Sequence, residues 1–172
     1  MAATDAMVAL YSTTLAAATS SVTIAGIPAN GYRDLRLVIN CTTSGVGTVR
    51  ISLNGDTTAN YASLHVRGNR SGGTDAARSG YETSVGYFSM AWSNFNTGSP
   101  AIITHDIIDS FSTNKQKTTL TRSGYTDDAA NTVVEFLAGR WNSLAAVSSL
   151  NVFMSASTFA AGSTFELFGI KA

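Results

Sequence analysis

The sequence predicts an all-β fold, an antiparallel sandwich or barrel of about ten to eleven short strands with little helix. Three observations predict it. Apolar residues recur at every second position in segment after segment, and clusters of Gly, Asn, Ser and Asp punctuate those segments at short intervals. No stretch sustains an apolar stripe at helical spacing.

Taken in order, the first strands are expected at 8–14 and 21–27. The clearest follows: in Asp34-Leu35-Arg36-Leu37-Val38-Ile39-Asn40-Cys41 the set Leu35, Leu37, Ile39 and Cys41 shares one face, opposite Asp34, Arg36 and Asn40. Val49, Ile51 and Leu53 alternate with Arg50, Ser52 and Asn54 in the same way. Next, Ala62, Leu64 and Val66 are expected to point inward, leaving Ser63, His65 and Arg67 on the polar face. Between these two strands Asn54-Gly55 calls for a tight turn, because both residues accept positive φ. Further strands are expected at 82–90, 101–109, 117–122, 132–137, 147–154 and 164–170. The expected core is Leu35, Leu37, Ile39, Val49, Ile51, Leu53, Leu64, Val66, Val134, Phe136, Leu150, Val152, Phe165 and Leu167. The segments 68–80 and 123–131 are polar and read as exposed loops, and 14–20 and 142–147 are the helical candidates.

At 172 residues the chain suits one domain, 1–172, with a short N-terminal arm of about residues 1–11. Only 13% of the residues are charged, about half the usual share. Ser and Thr, about a quarter of the chain, supply the polar surface instead. Eleven basic residues balance eleven acidic ones, so no long-range field draws the protein to nucleic acid, and no apolar run reaches the length of a membrane span. Neither partner is expected. Cys41, the single cysteine, reads as a buried small hydrophobe.

The inventory for chemistry is thin. Two histidines and one cysteine, without metal-ligand spacing, leave no zinc site, and no cofactor is expected. His105 and Asp106 are adjacent on a strand and point to opposite faces, so they cannot act as a pair. Asp106, Asp109, Asp127 and Asp128 lack the alternate spacing of a calcium loop, and Glu82, Glu135 and Glu166 match no glycosidase motif. Gly68 to Gly73 does not match a phosphate-binding loop. With no acid, base or metal constellation, the expectation is a protein that is not an enzyme.

Several segments together resemble a domain that recurs in structural proteins of tailed bacteriophages. They are Ser21-Val22-Thr23-Ile24-Ala25-Gly26-Ile27-Pro28 with Tyr32-Arg33-Asp34-Leu35; Leu53-Asn54-Gly55-Asp56 with Asn60-Tyr61; Thr113-Asn114-Lys115-Gln116-Lys117-Thr118; Gly139-Arg140-Trp141-Asn142-Ser143; and the run from Phe159 to Ile170. The resemblance extends from about Leu10 to Ile170. It implies a jelly-roll β-sandwich of the type found in capsid decoration (cement) proteins and tail-fibre domains. The sequence carries no coiled-coil stalk, repeat shaft or catalytic module. A decoration protein on the outer head surface, stabilising the shell, is therefore expected ahead of a tail component.

That reading implies two partners, the major capsid protein and copies of the chain itself as a homotrimer, assembled in the host cytoplasm into the virion. The candidate partner-binding residues are Met7, Val8, Leu10 and Tyr11, too apolar for a solvated tail, together with Arg67, Arg70 and Arg78 in and beside the 68–80 region and Trp92 among loop residues. Met7 to Tyr11 have a second reading, as the first strand of the chain's own sheet. The alternative function is a tail-fibre or receptor-binding component that holds a glycan through Trp92, Asn94 and Asn96.

Overall fold

A computed structural model describes residues 6–29, 31–71, 74–91 and 94–171, with backbone only for residues 71 and 74–79. Twelve strands run β1 (Met7–Thr14), β2 (Ser21–Ala25), β3 (Asp34–Thr42), β4 (Val49–Leu53), β5 (Tyr61–Ser71), β6 (Thr74–Val85), β7 (Phe88–Ser89), β8 (Pro100–Ile108), β9 (Lys117–Thr126), β10 (Thr132–Trp141), β11 (Ser149–Met154) and β12 (Thr164–Ile170). They form an unequal β-sandwich. One sheet has eight strands in the order β1-β12-β3-β8-β9-β10-β5-β6, the other four in the order β2-β11-β4-β7, and every pairing is antiparallel. Among the described residues there is no helix, and both helical candidates are irregular connections.

Period two builds the core. Leu35, Leu37, Ile39 and Cys41 of β3 are 0–1% exposed, and they meet Val49, Ile51 and Leu53 of β4 and Leu150 and Val152 of β11 across the sandwich, all completely buried. Phe165 and Leu167 of β12 join them, with Phe159 packed edge-on against Phe165 at 5.0 Å. Asn54 (φ 54°) and Gly55 (φ 68°) make the expected turn, closed by Asp56 N–H donating to the Leu53 carbonyl at 2.9 Å. It passes the chain from the small sheet to the large one.

Two expectations about loops are corrected. Of the 68–80 segment, residues 68–71 and 74–80 belong to β5 and β6, which pair from Tyr61↔Val85 to Ser71↔Thr74. Glycine and arginine do not prevent pairing there because the ladder needs only backbone groups. In the 123–131 region β9 runs on to Thr126, so the turn is confined to 127–131. Of the expected arm, residues 1–5 lie outside the described residues, and from Met7 onward the chain is a strand: Met7↔Ile170 through Thr14↔Thr164 pair β1 with β12, with a bulge between Ala9 and Tyr11.

Candidate interaction surface

The motif residues converge on one corner. The Asp56 carboxylate accepts hydrogen bonds from Trp141 Nε1 at 2.7 Å, Asn60 Nδ2 at 3.0 Å, and the Thr58 N–H and hydroxyl. Burial alone would raise the pKa of this carboxyl, but the bonds from Thr58, Asn60 and Trp141 outweigh it and bring it down to about 2. Tyr61 Oη accepts from the Leu53 N–H at 2.9 Å and donates to the Asp56 carbonyl at 3.0 Å. Its ring stacks on Trp141 at 6.2 Å and meets Phe88 edge-on at 4.8 Å. Nearby, Lys117 is completely buried and donates to the carbonyls of Ser112 and Lys115 at 2.6 and 2.9 Å, while Gln116 bonds Asn142. In the last strand, a Cβ on Gly169 would lie 2.5 Å from the Tyr32 ring, the close approach that glycine permits. These residues hold the fold.

This corner sets the polarity of the neighbouring strands. Tyr61 and Trp141, opposite each other in the β5/β10 ladder, are both anchored inward. Side chains alternate along a strand, so Ser63, His65, Arg67 and Asn69 of β5 must also point in, with Val133, Glu135 and Leu137 of β10. Leu64, Val66, Val134 and Phe136 then point out, and they are 54%, 54%, 54% and 52% exposed. Those four expected core residues are corrected to surface residues, while His65 and Arg67 are corrected to buried ones.

Several of the inward polar groups are matched to one another. Arg67 sits opposite Glu135 in the ladder and 3.9 Å from Asp127, and Tyr125 Oη donates to Glu135 at 2.8 Å. Asp127 also accepts from the N–H groups of Ala129 and Asn131, capping the β9/β10 turn. Phe95 seals the layer, edge-on to Tyr125 at 4.4 Å and bonded through its N–H to the Gly47 carbonyl. His105 is completely buried beside Phe88, with Nδ1 2.8 Å from Thr121 Oγ1, and burial pulls its pKa down to about 4. His65 is shifted down by burial and then by Arg67.

Of the candidate partner-binding residues, Met7 (46% exposed) lies on the outermost strand of the large sheet, whereas Val8, Leu10 and Tyr11 are half-buried, the last two against the core. Arg67 cannot reach a partner, since it is 5% exposed. Arg70 is exposed at the end of β5. Arg78 pairs with Arg67 through its backbone, and its side chain lies outside the described residues, as does Trp92. Asn94 bonds Asp128 at 3.2 Å.

The outward carboxylates are also engaged. Asp106 is held between Arg36 at 2.6 Å and Arg122 at 2.9 Å, on the face opposite His105, and Asp109 pairs with Lys115 at 3.1 Å. Among the described residues no three His, Cys, Asp or Glu gather in a metal-binding arrangement, and no helix is long and apolar enough to cross a membrane.

What sequence reasoning missed is the outer face of the large sheet. There Leu64, Val66, Val134 and Phe136 lie beside Leu120 and Ile102, 41% and 59% exposed, on the neighbouring strands β9 and β8. The available signal was parity: Tyr61, Leu137 and Trp141 belong to the opposite set from Leu64, Val66 and Phe136, and large rings able to reach a polar partner claim the inside.

No protein-family model matches the sequence, and no curated protein does. Among solved structures the chain is similar to xylan β-1,4-xylosidase from Bacillus halodurans C-125, with 7% identity and a TM-score of 0.31 over 81% of this chain and 28% of that one. It is similar also to the PL-14 alginate lyase from Aplysia kurodai, with 10% identity and a TM-score of 0.30 over 81% of this chain and 69% of that one. A third is Ail, the attachment invasion locus protein of Yersinia pestis, with 10% identity and a TM-score of 0.19 over 64% of this chain and 98% of that one. The chain thus spans little more than a quarter of the xylosidase.

Proposed function

We propose that this chain is a non-enzymatic structural protein of a tailed-phage particle, a capsid decoration or cement protein that binds the major capsid protein on the outer head surface as a homotrimer. The jelly-roll connectivity belongs to the same proposal. The observation that carries it is the placement of the resembling segments: Asn54 to Tyr61, Lys117 and Trp141 meet at the corner that orients β5 and β10, and Phe159 to Ile170 close the core. Polar side chains spent on holding corners leave the protein to act through surfaces. His65, His105 and Glu135 lie inside the sandwich, and Asp106 is neutralised by two arginines, which supports the non-enzymatic part of the reading.

Quantitative mass spectrometry of purified particles tests it. The expected result is a copy number in a fixed ratio to the major capsid protein. Absence from particles would overturn the virion reading, and a handful of copies per particle would replace the head location with the tail.

A further inference from the structure

The outer face of the large sheet has the wrong polarity for a face that meets water. On β5 and β10 the inward residues include Ser63, His65, Arg67 and Glu135, while the central outward ones are Leu64, Val66, Val134, Phe136 and Ala138, with Arg70 and Arg140 toward the strand ends. Register makes the outward set contiguous. Phe136 stands opposite Val66, Ala138 lies between Leu64 and Leu120, and Gly124 lies between Val134 and Ile102. Tyr81, 73% exposed, extends the face onto β6 opposite Leu64.

We propose that this face is where a second copy of the chain docks, so that the working unit is an assembly closed through the outer surfaces of β8, β9, β10, β5 and β6. Area is the first argument. Each large side chain in this set leaves on the order of 100 Å² in solvent, about half of what an aromatic residue buries, and seven of them leave roughly 700 Å². That exceeds the largest patch of a typical monomer, about 300 to 600 Å², and approaches the roughly 800 Å² that each partner contributes to a stable interface.

Charge bounds the patch. Arg122 stands opposite Phe136 and shares Asp106 with Arg36, and Arg70 and Arg140 are exposed toward the two ends of β5 and β10. The apolar side chains between these arginines carry no charge themselves, so a second copy meets them by apolar packing, with its own Asp106 as the acidic group nearest the contact. The face also keeps its own hydrogen bonds. Its backbone groups are paired within the large sheet, so a copy would dock on it by side-chain packing alone.

The proposal goes beyond the virion reading and stands without it: a chain that assembles through this face yet is missing from particles fails that reading and keeps this one. Sedimentation velocity on the purified full chain over a range of micromolar concentrations provides the test. The expected species has two or three chains. Val66→Thr with Phe136→Thr, and separately Leu64→Thr with Ile102→Thr, exchange exposed apolar groups for a residue that suits a strand, and each pair raises the dissociation constant roughly 30-fold or more, the effect of losing one central hot spot. A wild-type chain that stays single at every concentration overturns the proposal, as does an assembly that folded variants leave intact. If neither variant folds, hydroxyl-radical footprinting of the wild type decides: Tyr81 and Phe136 become protected as concentration rises, and unchanged reactivity in the assembled protein rules this face out.

Discussion

Replacing His105 with Gln should remove most of an acid-induced loss of stability that the wild-type protein shows between pH 6.5 and 4. The imidazole is completely buried between Phe88 and Thr121, and its Nε2 has no hydrogen-bond partner among the described residues, whichever tautomer faces Thr121. Protonation would place a charge and a second N–H donor in that pocket. Burial therefore holds the folded pKa at about 4, against the ordinary 6.5, with Asp106 opposing the shift only in part. Because the folded value is the lower one, the unfolded chain binds the proton first as pH falls. Stability is full above about pH 6.5, declines through the interval, and stops responding to this group below about pH 4. At 1.36 kcal/mol per pH unit, the loss amounts to about 3 kcal/mol. His65, also depressed, adds to the decline with the same sign. Urea unfolding at a series of pH values, wild type against His105→Gln, isolates the His105 share, and proton NMR of the folded protein follows the ring directly. Parallel stability curves for the two proteins, or a folded-state imidazole at position 105 that titrates near 6.5, would refute the reasoning.

The corner supplies a second expectation: Tyr61→Phe strands the buried Leu53 N–H and lowers the free energy of unfolding by about 1 to 3 kcal/mol in a urea titration. Gly139→Ala places a Cβ 2.6 Å from the Phe88 ring and costs about 1 to 3 kcal/mol. Gly68→Ala, with nothing within 4 Å of the new methyl, is neutral or slightly stabilising by thermal melt. Ile39→Ala, at a completely buried site, costs about 2 to 5 kcal/mol. Phe136→Ala, measured on the isolated chain, costs far less because half of the ring is already in solvent, and equal losses would put Phe136 back in the core. Cys41, whose thiol burial pushes up to about 12, stays unreactive toward a thiol reagent at pH 8 until denaturant exposes it.

Most of the strand pattern was legible in the residues themselves. A half-buried strand must alternate, so β3, β4, β11 and β12 announced their inward faces and, apart from the start of β11 two residues later than expected, their bounds, and Asn54-Gly55 announced its turn. Those strands lie where the two sheets face each other over a purely apolar core, the one situation in which hydrophobicity and burial coincide. The candidate site was much less legible. Met7 to Tyr11 were recognised as too apolar to be free, yet whether they would pair with β12 or reach a neighbour depended on an edge formed some 155 residues later in the chain.

For β5, β9 and β10, local pattern and burial part company, and only the tertiary structure decided them. Along Tyr61 to Arg70 the apolar set Leu64 and Val66 argues for one face, while Tyr61 alone argues for the other. The fold sides with Tyr61 because its hydroxyl reaches Leu53 and Asp56 and its ring reaches Trp141, partners brought together from 8 residues upstream, 5 residues upstream and the far end of β10. Once that ring is anchored, strict alternation carries His65 and Arg67 inside, where Glu135, Asp127 and Tyr125 hold a layer of polar groups beneath Phe95. The sequence by itself determined the all-β class, the number of strands to within one or two and the apolar centre, since each follows from local periodicity and turn chemistry. Which face of the large sheet is turned to the solvent was decided by contacts between residues far apart in the chain, and a polar side chain is buried at little cost when its partners arrive from other strands.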